Sequence, residues 1–158
     1  MRILGIDPSL TSTGYGIIEA GETLRGLAYG HIPTKSSEPL PDRLERLYLQ
    51  LTAVIDTWSP AVCSVETIFT ARNPRSALLL GHARGVVILT ARRAKLPIFE
   101  YTPMQIKRAV CGRGRSTKEQ VRFMVERLLG LAEPIKPLDA SDALATAICH
   151  QQQPALSG

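Results

Sequence analysis

Ile3-Leu4-Gly5-Ile6-Asp7-Pro8-Ser9 is the stretch from which the fold can be read. A short apolar run rich in branched residues and closed by a turn signal is a buried strand. Asp7 stands at its end, and Pro8 stops it. A carboxylate at the rim of a buried strand is costly to leave uncompensated, so the rest of the chain should bring something to meet it. The theme recurs in Ala61-Val62-Cys63-Ser64-Val65-Glu66, again a short apolar strand ending in an acid. Between the two, Pro41-Asp42 opens an amphipathic helix with Leu44, Leu47, Leu51, Val54 and Ile55 at helical spacing, ending near Trp58-Ser59-Pro60. Strand, crossover helix and strand make parallel neighbours. Asp7 and Glu66 are then expected side by side at the C-terminal edge of the sheet, where α/β proteins place their sites.

The remaining elements follow outward from this unit. Residues 11–16 read as a turn-rich link containing Gly14, and Tyr15–Ala20 with Leu24–Ile32 as a hairpin around Gly21-Glu22. A long helix is expected from about Arg75 to Lys95, then a strand over Pro97–Tyr101. Thr102-Pro103 has the form of an N-cap with proline in the first turn, starting a helix through Ala109. Cys111-Gly112-Arg113-Gly114-Arg115 reads as a flexible basic loop. Ser116-Thr117-Lys118-Glu119 has capping-box spacing ahead of a helix to about Leu129. Asp139–Gln151 is the last helix. An early hairpin followed by crossover units gives an α/β fold, a five-stranded mixed sheet flanked by helices. One domain is expected over residues 1–151, with a frayed tail over 152–158.

No segment has the uncharged apolar length of a membrane helix, and Met1-Arg2-Ile3 does not begin a signal peptide. Cys63, Cys111 and Cys149 are odd in number and far apart, which suggests neither a disulfide framework nor a zinc site and fits a reducing cytoplasm. His31, His82 and His150 are scattered and read as structural. The net charge is +5, and its distribution is uneven. Residues 67–118 hold eleven basic side chains and one acid, Glu100, so this segment carries +10 and the rest −5. A basic middle between acidic flanks suggests a polyanionic partner, although a solubilising surface has the same composition.

Asp139 and Asp142, three apart, share one face at the start of the last helix. If that helix lays Ala143, Leu144, Ala145, Ala147 and Ile148 on the sheet, both aspartates reach the edge where Asp7 and Glu66 end. Singly, each acid has an ordinary explanation: a turn, a solvated strand end, an N-cap, a first-turn carboxylate. Together, four clustered carboxylates repel one another, and hard divalent cations, Mg²⁺ or Mn²⁺, relieve the conflict. Two such ions suit phosphodiester cleavage.

Gly5-Ile6-Asp7-Pro8-Ser9-Leu10 with Thr13-Gly14-Tyr15-Gly16, Val65-Glu66, and Asp139-Ala140-Ser141-Asp142-Ala143-Leu144-Ala145 resemble the RuvC family of Holliday junction resolvases. The resemblance extends to Asn73, Ser76-Ala77-Leu78, Gly81, Ala83-Arg84-Gly85-Val86, Phe99-Glu100-Tyr101, Gln105, Lys107 and Lys118. It spans nearly the whole chain. It implies a ribonuclease H-like fold, a homodimer, and paired nicks across a four-way DNA junction that leave 5′-phosphate and 3′-hydroxyl ends. It further implies partnership with a branch-migration motor of the RuvA and RuvB type. Asp7, Glu66, Asp139 and Asp142 match the family's metal-binding acids. One feature departs from the common pattern, Ser9, which stands where the family more often has glycine; some relatives have histidine at the position of Asp139, where this chain keeps a carboxylate.

Lys107 and Lys118 match family lysines near the scissile phosphate, and Phe69 matches an aromatic that resembles a wedge stacking at the junction centre. Arg113 and Arg115, alternating with Gly112 and Gly114, suit close approach to a phosphate backbone, as do Arg72 and Arg75 around the loop after Glu66. Ala77, Gly81 and Gly85 form a small-residue stripe, with Leu78, Val86 and Leu89 nearby. The stripe serves either internal packing or a two-fold contact. The rival readings are an actin-like ATPase fragment, which needs a second lobe, a same-fold nuclease for RNA, and a junction-binding scaffold without catalysis.

Overall fold

The computed structural model describes residues 1–67 and 73–153. Five strands and five helices follow in the order β1 (Arg2–Asp7), β2 (Ser12–Ala20), β3 (Leu24–Pro33), α1 (Leu40–Trp58), β4 (Val62–Glu66), α2 (Pro74–Arg93), β5 (Ile98–Tyr101), α3 (Pro103–Cys111), α4 (Lys118–Leu128) and α5 (Leu138–Gln151). The sheet order is β3-β2-β1-β4-β5. β1 and β2 pair antiparallel, as do β2 and β3, whereas β1 pairs parallel with β4 and β4 with β5. The mixed sheet and the parallel placing of β1 beside β4 are as expected.

Side-chain alternation divides the sheet into two faces. Leu4, Ile6, Ile17, Cys63 and Val65 pack under α1 and α2, with Leu47, Leu51, Ile55, Ala83, Val87 and Ala91. Ile3, Ile18 and Val62 pack on the opposite face under α3, α4 and α5. Asp7 has the parity of Ile3, and Glu66 that of Val62, so both acids belong to the α5 face.

Helix α5 is the buried centre of that face. Ala143, Leu144, Ala145, Ala147 and Ile148 are fully buried, as their spacing suggested. Three glycines let it lie unusually close to the strands. A Cβ added at Gly5 would fall 2.0 Å from the Ala143 carbonyl oxygen, and one at Gly14 2.0 Å from that of Asp139. At Gly16 the obstacle would be the Leu144 side chain, 2.6 Å away. Gly14 is therefore not a turn residue. It lies inside β2, opposite Asp7, and β2 begins at Ser12 where a link was expected.

Two smaller expectations also shift. The capping box of α4 is formed by Thr117 and Gln120, one residue later than the Ser116/Glu119 spacing suggested. Ser116 instead donates its hydroxyl to the Arg113 carbonyl. Thr102 caps α3 as expected, in a capping box with Gln105. Among the described residues no helix is long and apolar enough to cross a membrane, and Cys63, Cys111 and Cys149 are free thiols.

Candidate active site

Asp7 ends β1, and the chain turns at once. The turn is held by Thr13, whose Oγ1 accepts from the Ser9 N–H at 3.2 Å and donates to the Ser9 carbonyl. Thr34 donates to the Leu10 carbonyl at 2.5 Å, and the buried Arg43 donates to Thr34 Oγ1 at 2.9 Å. Ser9 does not adopt a positive φ, so this turn needs no glycine there and the departure from the common family residue leaves it intact.

From the other side, α5 begins at Leu138, with Asp139 in its first turn and Asp142 one turn further. Asp139 does not cap the helix; Pro137 holds that position, with no side-chain cap. One carboxylate oxygen each from Asp7, Asp139 and Asp142 can be chosen so that all three lie within 4.8 Å of one another. Glu66 is not part of that trio. It lines a cleft with Pro103, Ile106, Lys107, Val121 and Asp142, directly beside it.

The electrostatics express the crowding. Burial pushes the Asp7 carboxyl well above its ordinary range, and the charges of Glu66, Asp142 and Asp139 push it further. Glu66 is raised to about 7, by burial first and then by Asp142, with Lys118 and Lys107 pulling the other way. Asp142 is raised chiefly by burial, against the downward pull of Lys118. Lys118, at the start of α4, places Nζ 3.7 Å from Asp142 Oδ2. Hard oxygen donors, close together and strained by their own repulsion, fit a divalent cation of the Mg²⁺ or Mn²⁺ type.

The other expected residues scatter around this centre. Arg75 is exposed in the first turn of α2; Arg113 and Arg115 are exposed in the α3–α4 connection. Gly112 there takes φ 80° to close α3, and Gly114 packs on Met104, where a Cβ would fall 2.7 Å from its Cγ. Both glycines thus have reasons within the chain itself. Phe69 and Arg72 lie outside the described residues.

Three residues near the acids have parts that the sequence did not assign. Arg84, visible there only as one of the basic segment and of a family motif, donates from Nη1 to the Glu66 carbonyl at 3.0 Å and from Nη2 to Glu100, fixing the end of β4. Ser12 donates to Asp139 Oδ2 at 2.8 Å, and His31 Nδ1 lies 3.1 Å from the same hydroxyl. The signal for the last two was strand parity. Once β2 is known to begin at Ser12, that residue shares the face of Gly14, and His31 pairs with Gly14 from β3.

Comparison with known proteins agrees with this geometry. Residues 3–150 match the family model described as crossover junction endodeoxyribonuclease RuvC. The protein of that name from Syntrophotalea carbinolica is 52% identical over 151 residues, covering 95% of this chain and 93% of the relative. The one from Caldicellulosiruptor saccharolyticus is 47% identical over 152 residues, covering 95% and 92%. Among solved structures, Thermus thermophilus RuvC in complex with a Holliday junction substrate superposes with a TM-score of 0.90 at 36% identity, covering 95% of this chain and 92% of that one. The sheet and its helices are accordingly a ribonuclease H-like α/β fold. With nearly the whole length matched by both sequence and structure, the chain belongs to the RuvC family of crossover junction endodeoxyribonucleases.

Proposed function

We propose that this chain is a divalent-metal-dependent endonuclease that resolves four-way DNA junctions by symmetric nicks in opposed strands, leaving 5′-phosphate and 3′-hydroxyl ends, in recombination and repair. One observation carries the reading: aspartates from two distant parts of the chain converge at one sheet edge, beside Glu66 and flanked by lysines. The RuvC homologue bound to a Holliday junction supports the substrate.

Asp7, Glu66, Asp139 and Asp142 would hold two Mg²⁺ ions, with Mn²⁺ as the alternative. When bound, such ions supply Lewis-acid stabilisation of phosphoryl charge and a nucleophile at neutral pH. The chain's own part is positional. Lys107 and Lys118 place compact positive charge where the scissile phosphate would sit, while Arg75, Arg113 and Arg115 hold the flanking backbone without reading sequence. Arg72 and Phe69 are assigned the corresponding phosphate and stacking roles.

A homodimer completes the proposal. On α2, Leu78, Gly81, Gly85 and Leu89 form one exposed stripe, opposite the buried Ala83, Val87 and Ala91. Leu78 is 68% and Leu89 57% exposed, and a Cβ at Gly81 or Gly85 would meet nothing within 4 Å among the described residues. Internal packing therefore does not account for the stripe, and its small and apolar residues suit a two-fold contact. A motor of the RuvA and RuvB type as partner, and a cytoplasmic setting, belong to the same proposal.

The test is incubation with an immobile and a mobile junction, linear duplex and single strand, in Mg²⁺, Mn²⁺ or EDTA. Paired nicks confined to junctions, abolished by EDTA, are expected. Asp7→Asn should lower cleavage by more than the roughly 10–100-fold typical of losing an outer-shell partner. Tight junction binding without cleavage in either metal would make the protein a scaffold instead.

A further inference from the structure

We infer that Ser12 and His31 are positioning residues that hold Asp139 in a ligand-ready orientation, through a directed relay from His31 Nδ1–H to Ser12 Oγ and from Ser12 O–H to Asp139 Oδ2. The inference rests on the reading of Asp139 as a metal-binding carboxylate.

The direction follows from proton counting. Ser12 Oγ lies 2.8 Å from Asp139 Oδ2 and 3.1 Å from His31 Nδ1. A hydroxyl has one proton and an ionised carboxylate only accepts, so the Ser12 proton points at Asp139. The remaining contact must then be filled by a proton on His31 Nδ1, donated to a lone pair of the hydroxyl. That proton is present in the imidazolium and in one neutral tautomer, so the relay does not depend on the charge of the ring. Oδ2 is thereby engaged by the protein, and Oδ1 is left as the oxygen free of this bond.

The scaffold makes the arrangement useful. Ser12 opens β2 and His31 lies in β3, on paired strands whose register is set by Ser12 opposite Pro33 and Gly14 opposite His31. Asp139 stands on α5, whose backbone touches the same strand at Gly14. The relay therefore ties the helix that carries two of the acids to the sheet that carries Asp7, over a separation of 127 residues. Hydrogen bonds to a ligating carboxylate from outside the first coordination sphere tune both its orientation and its basicity.

The experiment measures Mn²⁺ affinity of the DNA-free protein by electron paramagnetic resonance of unbound Mn²⁺, and the His31 ring tautomer by ¹⁵N chemical shifts. Ser12→Ala should weaken Mn²⁺ binding by roughly 10–100-fold, and Ser12→Thr, which restores a hydroxyl, should recover most of it. His31→Phe, which keeps a ring but no donor, should cost roughly 2–10-fold, the value of one neutral hydrogen bond. The ¹⁵N shifts should show Nδ1 protonated in the parent. Asp7→Asn separates the two levels of the inference. If Asp7→Asn loses Mn²⁺ while Ser12→Ala binds within about twofold of the parent, below the hydrogen-bond range, the relay is wrong and the metal site stands. If Asp7→Asn binds Mn²⁺ as the parent does, the metal-site reading fails and the relay with it.

Discussion

Asp7, Glu66 and Asp142 all hold their protons more tightly in the folded chain than carboxyls do in water, with burial as the largest cause in each. The consequence for stability has a definite sign. Between the ordinary Glu value of 4.5 and the folded value of about 7 at Glu66, the native state binds more protons than the unfolded chain. Metal-free stability should therefore fall as pH rises across that window. Thermal unfolding in EDTA should give a lower Tm at about pH 8 than at about pH 5, on either side of it. Stabilisation by added Mg²⁺ should grow over the same interval, because binding requires the deprotonated carboxylates. A flat Tm in EDTA would contradict the crowding. Asp7→Asn removes one repelling charge, so it should raise the metal-free Tm at the alkaline end while removing the response to Mg²⁺. Ser141, between the two α5 acids, is fully buried, and its hydroxyl has no hydrogen-bond partner among the described residues. Ser141→Ala should be neutral or stabilising, by up to about 1 kcal/mol in denaturant unfolding, since it removes an unpaired polar group and favours the helix.

At the scale of elements, the site depends on how closely α5 rests on β1 and β2. Gly14 and Gly16 differ in what they hold away. A methyl at Gly14 meets the Asp139 backbone at 2.0 Å, which cannot yield without moving the start of α5; at Gly16 its shortest contact, 2.6 Å, is with the buried Leu144 side chain, one turn further from Asp139. Gly14→Ala should therefore cost about 1–3 kcal/mol or more and weaken Mn²⁺ binding as well, by shifting Asp139. Gly16→Ala should cost stability with a much smaller change in Mn²⁺ affinity. Equal weakening of metal affinity in the two variants would show that α5 is not the element that sets the site. The positions of β1, β4 and most helices were legible because apolar periodicity, prolines and caps are local signals. The start of β2 was not, because Ser12, Thr13 and Gly14 have a turn-like composition. They become a strand through pairing with β3, joined at Gly14 by pairing with β1, a tertiary effect that overrides propensity.

At the scale of the molecule, the apolar stripe on α2 and the arginines of the α3–α4 connection are exposed surfaces outside the core. Gly85→Arg should convert the proposed dimer to a monomer in sedimentation while leaving Mn²⁺ affinity unchanged, and should uncouple the paired nicks. If the variant sediments as the parent does, the stripe is not the two-fold contact. Removing Arg113 and Arg115 together should weaken junction binding uniformly across sequences. It should also make the salt slope of log K shallower by about 0.9 for each phosphate no longer neutralised.

The sequence by itself determined the strands ending in Asp7 and Glu66, the helix presenting Asp139 and Asp142 on one face, and the basic middle. Each is written in contiguous residues, through periodicity, capping and charge. Tertiary structure decided what those residues meet. It set the Glu66 side chain against Asp7, gave Arg84 to the Glu66 carbonyl, and turned the α2 stripe outward. It also brought Ser12 and His31 to Asp139. The physical reason is that strand register and backbone contact between helix and sheet are set by partners as far apart in the chain as Gly5 and Ala143, and no local window of the chain contains both sides of such a contact.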